Sequence, residues 1–131
     1  MTLLAFAFTK ITVADLDAAE RFYRDAIGLK TIKRITADGG EWGQEECIMS
    51  VSGRTDGPML LLIRLLHKPC PPPGEAWTGF AVSDLAAAAA AIEKAGGKVV
   101  VAPHDAPAFK LAAGVFTDPE GHIIEVTQSL A

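Results

Sequence analysis

The sequence predicts an α+β domain built from two copies of a βαβββ unit. A strand, an aspartate-capped helix and a glycine at the helix end occur twice, with Val13 matching Val82 at an offset of 69 residues. Three strand-like segments follow each helix, and a proline-rich stretch separates the copies. Agreement over roughly fifteen positions favours an internal repeat over coincidence.

The first copy begins with a strand that ends at residues 10–13 and continues into a helix. Asp15 can cap this helix, and Asp17 and Glu20 suit the positive end of its dipole. Gly28 lies where a helix C-terminus favours a left-handed residue. Apolar side chains recur between cap and stop at helical spacing: Leu16, Ala19, Phe22, Tyr23 and Ile27.

The second copy repeats this pattern without a gap. Residues 80–85 match residues 11–16, and Gly97 maps to Gly28 as the predicted end of the second helix. The alanine run at 86–91 fits a helix that packs closely on a sheet, because alanine is the best helix former and is small.

Strand-like segments complete each copy. They span residues 29–35, 45–52 and 59–66 in the first copy and residues 98–102, 110–117 and 123–128 in the second. Turn residues separate them at 38–40, 53–58 and 118–121. Residues 68–74 are too rich in proline for a helix or a central strand and predict a stiff connector. We expect loops at 37–43 and 104–113.

Composition excludes several classes of protein. Of the 131 residues, 50% are hydrophobic and 21% are charged, which is typical of a well-packed single domain. The net charge of -4 and the lack of a Lys/Arg cluster argue against a nucleic-acid partner. No apolar run could span a bilayer, so we expect no membrane partner and a cytoplasmic location. Cys47 and Cys70 are expected to be reduced thiols.

Two motifs resemble the vicinal oxygen chelate superfamily, which includes glyoxalases, bleomycin-resistance proteins and extradiol dioxygenases. They are the Val-x-Asp-Leu pattern that continues to Ile-Gly-Leu at residues 13–29, and Asp-Pro-Glu-Gly-His-Ile-Ile-Glu at 118–125. The resemblance implies one domain, 1–131, with modules at 1–67 and 77–131 and a linker at 68–76. It further implies an incomplete eight-stranded barrel with the helices outside, a cleft between the sheets, and a homodimer.

The resemblance also implies where metal-using members place their ligands. The corresponding residues are Phe8, Trp77, Leu61 or Leu62, and Glu125. Only Glu125 carries a donor for a divalent cation, so we expect no metal and no other cofactor. The three histidines are interpreted as surface or turn residues: His67, His104 and His122.

Strand alternation predicts which side chains line the cleft. Ile11 and Val13 should lie against the first helix. Side chains of the opposite parity should face the cleft, and Leu61, at the apolar centre of segment 59–66, is added to them. The predicted ligand site therefore consists of Phe6, Phe8, Lys10, Thr12, Leu61, Trp77, Ile123 and Glu125. This aromatic set with few polar groups favours a flat or apolar organic ligand.

Two functions follow from this site. The first is metal-independent binding or sequestration of a small organic molecule, as in bleomycin-resistance proteins. The alternative is a small lyase or isomerase in which a desolvated Glu125 is the general acid or base and Lys10 stabilises negative charge. Glu125 could instead pair with Lys10 or face water. Metal-dependent glyoxalase or dioxygenase chemistry ranks below both.

Overall fold

The computed structural model describes residues 1–131 as eight strands and two α-helices. In chain order the elements are β1 (Phe8–Thr12), α1 (Leu16–Phe22) with a following π-helical turn (Tyr23–Ile27), β2 (Lys30–Ala37), β3 (Gln44–Ser50), β4 (Met59–Leu65), β5 (Trp77–Ala81), α2 (Leu85–Lys94), β6 (Lys98–Ala106), a 3₁₀ turn (Pro107–Phe109), β7 (Leu111–Thr117) and β8 (Ile123–Ser129). The chain divides into two compact units, Met1–Arg24 with Gly28–Pro71, and Pro72–Ala131 with Asp25–Ile27. Neither helix is long and apolar enough to cross a membrane.

The first module, β1 to β4 with α1, is a four-stranded mixed sheet with the strand order β1-β4-β3-β2. β1 runs parallel to β4, and the other neighbours are antiparallel. The helix packs on β3 and β4. The core of this module consists of fully or almost fully buried side chains from the helical segment and the sheet: Leu16, Phe22, Tyr23, Cys47, Met49 and Leu62.

The second module, β5 to β8 with α2, repeats this topology. Its strand order is β5-β8-β7-β6, again with one parallel pair, β5 with β8. The helix packs on β6, β7 and β8. Its core is formed by Leu85, Ile92, Phe116, Ile124 and Val126. The α+β class with tandem βαβββ modules is therefore confirmed, whereas closure of the two sheets into one incomplete barrel stays a prediction.

Both helix starts are capped as the sequence predicts. The Asp15 carboxylate accepts a hydrogen bond from the Ala18 backbone N–H at 3.0 Å. In the second module the Asp84 carboxylate accepts from the Ala87 N–H at the same distance. Each bond satisfies one of the backbone donors that a helix leaves unpaired in its first turn.

The two helices end differently, and the predicted stop of the second was wrong. Gly28 is left-handed with a φ of 98°, as expected. In the second module the left-handed residue is Gly96, with a φ of 96°, and not Gly97. The first helix has a π-helical last turn, which takes up one more residue than the α-helical end of the second. Gly97 serves a different purpose, because a Cβ there would lie 2.5 Å from the Thr117 carbonyl oxygen.

The end of β6 also differs from the expectation. A strand was expected only to residue 102 and a loop from residue 104, but β6 continues through Ala106, and a 3₁₀ turn separates it from β7. β7 begins at Leu111, within the segment 110–117 that the sequence predicts as a strand. His104 pairs with Ala113 in this hairpin. β6 is the edge strand of its sheet, and it lacks the apolar alternation that marks a strand half-buried against a core.

Candidate functional site

Each module has one sheet face that lies opposite its own helix. We call these the first and second open faces. Alternation along the strands and the pairing registers define them. The first open face carries Phe8, Lys10, Thr12, Gln44, Glu46, Ile48, Met59, Leu61 and Ile63. The second carries Trp77, Gly79, Ala81, Ala113, Val115, Thr117, Ile123, Glu125 and Thr127.

The registers place the predicted site residues in corresponding positions of the two modules. Phe8 pairs with Met59 as Trp77 pairs with Ile123. Lys10 pairs with Leu61 in the same way that Gly79 pairs with Glu125. Leu61 is thus the structural counterpart of Glu125. Strand parity places Leu61 on the open face and Leu62 on the helix side, although both side chains are buried.

The first strand of each module begins with a half-exposed aromatic residue. Phe8 retains 48% of its accessible surface and Trp77 retains 58%. They occupy equivalent positions, 69 residues apart, as the repeat predicts. Phe6, by contrast, precedes β1 and is 83% exposed, so it belongs to neither the strand nor the open face. The alternation predicted from Phe6 onward starts only at Phe8.

The first open face contains a polar cluster of Lys10, Gln44 and Glu46. The Lys10 ammonium donates to Gln44 Oε1 at 2.9 Å and lies 3.0 Å from Glu46 Oε1. It also lies 5.9 Å from the centre of the Phe8 ring. Glu46 is only 6% exposed, so its charge depends on Lys10 for compensation. The carboxylate partner that the chain provides for Lys10 is therefore Glu46.

Gln44 and Glu46 are not among the site residues that the sequence predicts. The segment 45–52 was predicted as a strand, but its side chains were not assigned to faces. Alternation in β3 gives the signal, because Glu46 and Ile48 have one parity while Cys47 and Met49 have the other and are fully buried. Glu46 could therefore have been assigned to the open face from the sequence, because it is a carboxylate with the parity of that face.

Glu125 is the one charged side chain of β5 and β8. It lies between Gly79 and Val115 in the register and is partly exposed. The enzyme hypothesis requires that the Glu125 carboxylate be removed from water, and within the chain it is removed only in part. Trp77 and Ile123 are its neighbours one pleat away on the same face.

The residues that correspond to the metal ligands of the resembled family do not fit a metal. Phe8, Leu61 and Trp77 have no nitrogen, carboxylate or thiolate that coordinates a cation, and Glu125 alone is too few for a catalytic metal. No three His, Cys, Asp or Glu side chains form a group that could hold a metal ion elsewhere. No metal-dependent step is therefore assigned to this site.

The histidines have structural partners. His122 was interpreted as a surface or turn residue; it lies in the turn but is buried, and its Nδ1 lies 2.8 Å from Asp118 Oδ2. His67 Nε2 lies 2.7 Å from Asp38 Oδ1. His104 Nδ1 lies 3.0 Å from the Ala102 carbonyl oxygen. Both of these histidines are exposed, as expected.

A second polar network ties α1 to β2 on the helix side of the first sheet. The Thr31 hydroxyl donates to Glu20 Oε2 at 2.6 Å, and Arg34 donates to Glu20 Oε1 and Asp17 Oδ1 at 3.0 Å each. The bond from Thr31, together with those from Arg34, lowers the pKa of Glu20. Burial is the main reason that the pKa of the Cys47 thiol rises to about 12. Cys47 is therefore a protonated core thiol, consistent with the expected structural role.

A shallow pocket lies on β2 and β3, away from the predicted site. It is lined by Arg34, Ile35, Thr36 and Glu45. None of the predicted ligand-site residues contributes to it. The Glu45 carboxylate pairs there with Arg64 at 3.1 Å.

Two βαβββ modules with identical strand order define a paired-module fold. A family model described as the Glyoxalase/Bleomycin resistance protein/Dioxygenase superfamily matches residues 5–126. The chain therefore belongs to this superfamily, as the motifs at 13–29 and 118–125 indicated. A search of curated proteins finds no match.

Solved structures share the fold at low sequence identity. A glyoxalase family protein from Bacillus cereus has a TM-score of 0.82 and 22% identity, over 100% of this chain and 97% of the other. TnmS3, an antibiotic binding protein from Streptomyces sp. CB03234, has a TM-score of 0.73 and 20% identity, over 98% of each chain. A mutant of glyoxalase I from Zea mays has a TM-score of 0.77 and 21% identity over 93% of this chain, which spans 45% of the maize protein.

Proposed function

We propose that this protein is a metal-independent small-molecule-binding protein that holds an aromatic or apolar organic ligand against its open sheet faces. The observation that carries this proposal is the pair of half-exposed rings, Phe8 and Trp77, at equivalent positions of the two modules. These are positions where metal-using members of the resembled family place a metal ligand.

The physical argument rests on unburied apolar surface. Each square ångström of apolar surface left in water forfeits about 25 cal/mol of stabilisation, so large rings that stay exposed on an ordered strand favour a binding surface. An aromatic ligand stacked on such a ring recovers that free energy. The similarity to TnmS3, whose description is that of an antibiotic binding protein, supports the same function.

The proposed contacts divide between the two faces. The ligand-binding side chains comprise Phe8, Lys10, Thr12 and Leu61 on the first face and Trp77, Ile123 and Glu125 on the second. Phe6 lies outside the ordered faces, and we assign it no contact.

Trp77→Ala tests this function, and Trp42→Ala is its matched control. The chain has two tryptophans, both exposed, and Trp42 lies at 63% exposure in the β2–β3 turn, outside both open faces. Nile red is a suitable neutral aromatic probe, since its fluorescence increases in apolar surroundings. We expect Trp77→Ala to weaken Nile red binding by about 1 to 3 kcal/mol, the scale of a lost aromatic contact, and Trp42→Ala to leave it unchanged. Equal effects of the two variants would place the binding site elsewhere.

The rival enzyme function depends on Glu125. It is favoured by one observation, that Glu125 is the single charged group of β5 and β8 and lies beside Trp77 on the open face. Lys10 is a weak partner for this chemistry because Glu46 already compensates its charge. Glu125→Gln separates the two functions. Loss of a reaction found by substrate screening with Nile red binding retained would favour a lyase or isomerase; retention of both would favour sequestration.

We further propose a cytoplasmic homodimer without nucleic-acid or membrane partners. The support is the family resemblance together with three exposed valines on the edge strand β6, Val99, Val100 and Val101. Sedimentation velocity at micromolar concentration should give twice the chain mass, and a monomer would contradict the dimer.

A further inference from the structure

The Lys10–Gln44–Glu46 cluster joins side chains of β1 and β3 across β4. β1, β4 and β3 are already joined by their backbone registers, and Lys10 reaches across β4 to place its ammonium on β3. The cluster lies on the open face beside the half-exposed Phe8 ring, 5.9 Å from the ammonium. Polar groups in this position, at the edge of an apolar surface, are those that orient a bound molecule.

The donors of Lys10 are only partly used. An ammonium carries three N–H donors. Gln44 Oε1 accepts one of them at 2.9 Å, and Glu46 Oε1 lies 3.0 Å from the ammonium as its ion-pair partner, so at least one donor has no acceptor within the chain. The Lys10 side chain is 35% exposed, so this donor can be reached from outside.

The charge of the cluster selects the kind of acceptor. The Lys10 and Glu46 charges cancel, and Glu46 is held beneath the surface with a side-chain exposure of 8%. An anion bound to the free Lys10 donor would lie about 3 Å from the ammonium and about 5 Å from the Glu46 carboxylate, so the repulsion from Glu46 offsets roughly 60% of the attraction to Lys10. The attraction that remains has to offset the cost of removing the anion from water. A neutral oxygen acceptor has a much smaller desolvation cost and can still accept the Lys10 hydrogen bond.

We infer that Lys10, Gln44 and Glu46 are the polar anchor of the first open face and select a neutral aromatic ligand with a carbonyl-type oxygen over an anionic one. This inference rests on the proposed binding function and adds the chemistry of the ligand. Lys10 donates to the ligand oxygen, Gln44 and Glu46 hold the ammonium in place, and Phe8 contacts the apolar part of the molecule.

Two dyes test the selectivity: Nile red, which is neutral and carries a carbonyl, and 8-anilinonaphthalene-1-sulfonate, which is anionic. The unaltered protein should bind Nile red more tightly. In Glu46→Gln the Lys10 charge is uncompensated, so the affinity for the sulfonate dye should increase about tenfold while that for Nile red changes by less than about threefold. Adding Lys10→Gln to this variant should abolish the gain.

Glu45→Gln is the matched control. It removes the same charge one residue away on the same strand, but from the opposite face, where Glu45 pairs with Arg64. It should leave both affinities unchanged. If Glu46→Gln does not fold, as judged by circular dichroism, the Lys10→Gln/Glu46→Gln pair is compared with the unaltered protein and should lose at least about fivefold in Nile red affinity because the charged donor is gone.

The possible results separate the two proposals. If neither dye binds the unaltered protein, the binding function is wrong and the anchor with it. If Nile red binds but Glu46→Gln changes the affinity for the sulfonate dye no more than Glu45→Gln does, the polar anchor is wrong and the binding function stands. A response to Glu45→Gln only would also overturn it and place the dyes in the pocket at Arg34 and Glu45.

Discussion

Asp118→Ala should destabilise the protein because the carboxylate organises the turn before β8. Asp118 is almost fully buried, and its Oδ1 accepts hydrogen bonds from the backbone N–H groups of Glu120 and His122 at 2.9 Å each. Its Oδ2 lies 2.8 Å from His122 Nδ1. Alanine removes all three acceptor contacts and leaves a buried backbone donor at His122 without this partner.

The magnitude follows from these contacts. A hydrogen bond to a charged acceptor contributes about 1.5 to 3 kcal/mol, and relaxation of a turn that is partly exposed at Glu120 reduces the sum. We expect the free energy of unfolding to fall by about 3 kcal/mol. For a chain of this size that corresponds to a decrease in Tm of about 10 to 15 °C.

Urea denaturation followed by circular dichroism measures this change. Asp118→Asn is the matched control, because the amide oxygen can still accept the two backbone bonds while the carboxylate contact to His122 Nδ1 is lost; we expect a loss of about 1 kcal/mol. A loss below about 0.5 kcal/mol in Asp118→Ala would show that the Asp118 carboxylate does not stabilise this turn.

Two further predictions follow from the network beneath α1. In the native protein a thiol reagent should modify the exposed Cys70 rapidly and leave Cys47 unreacted, because burial raises the pKa of Cys47 to about 12; two fast thiols per chain would contradict this. The pKa of Glu20 is lower in the folded state than in the unfolded state, where it is near 4.5. Glu20 therefore stabilises the fold fully above pH 4.5, and this stabilisation is lost as the pH falls through the folded-state pKa. Thr31→Val should therefore reduce the loss of Tm between pH 5 and pH 3, where an unchanged loss would contradict the assignment.

Local signals in the sequence predicted most of the fold. The caps at Asp15 and Asp84 and the glycine at residue 28 are decided by backbone chemistry within a few residues, so they can be read without the tertiary structure. Strand alternation likewise separated Ile11 and Val13, which are buried, from Phe8.

The features that were missed depend on neighbours distant in sequence. Gly97 could not be separated from Gly96 as the left-handed residue, because its own constraint comes from Ile92 together with Thr117, twenty residues later, and the contact to Thr117 depends on the tertiary structure. The continuation of β6 through His104 depends on pairing with β7. The partner of Lys10 is Glu46 because the register brings β3 next to β4, and no local pattern encodes that register.

Native mass spectrometry of the protein purified from the organism that encodes it shows whether the protein retains an organic ligand or a metal ion. We expect a retained organic molecule, with no mass increment of a divalent metal and no change in Tm when a chelator is added. Loss of that molecule in Trp77→Ala but not in Trp42→Ala would link it to the open face. A spectrum with about one zinc, iron, nickel or manganese ion per chain and no organic adduct would contradict metal-independent ligand binding.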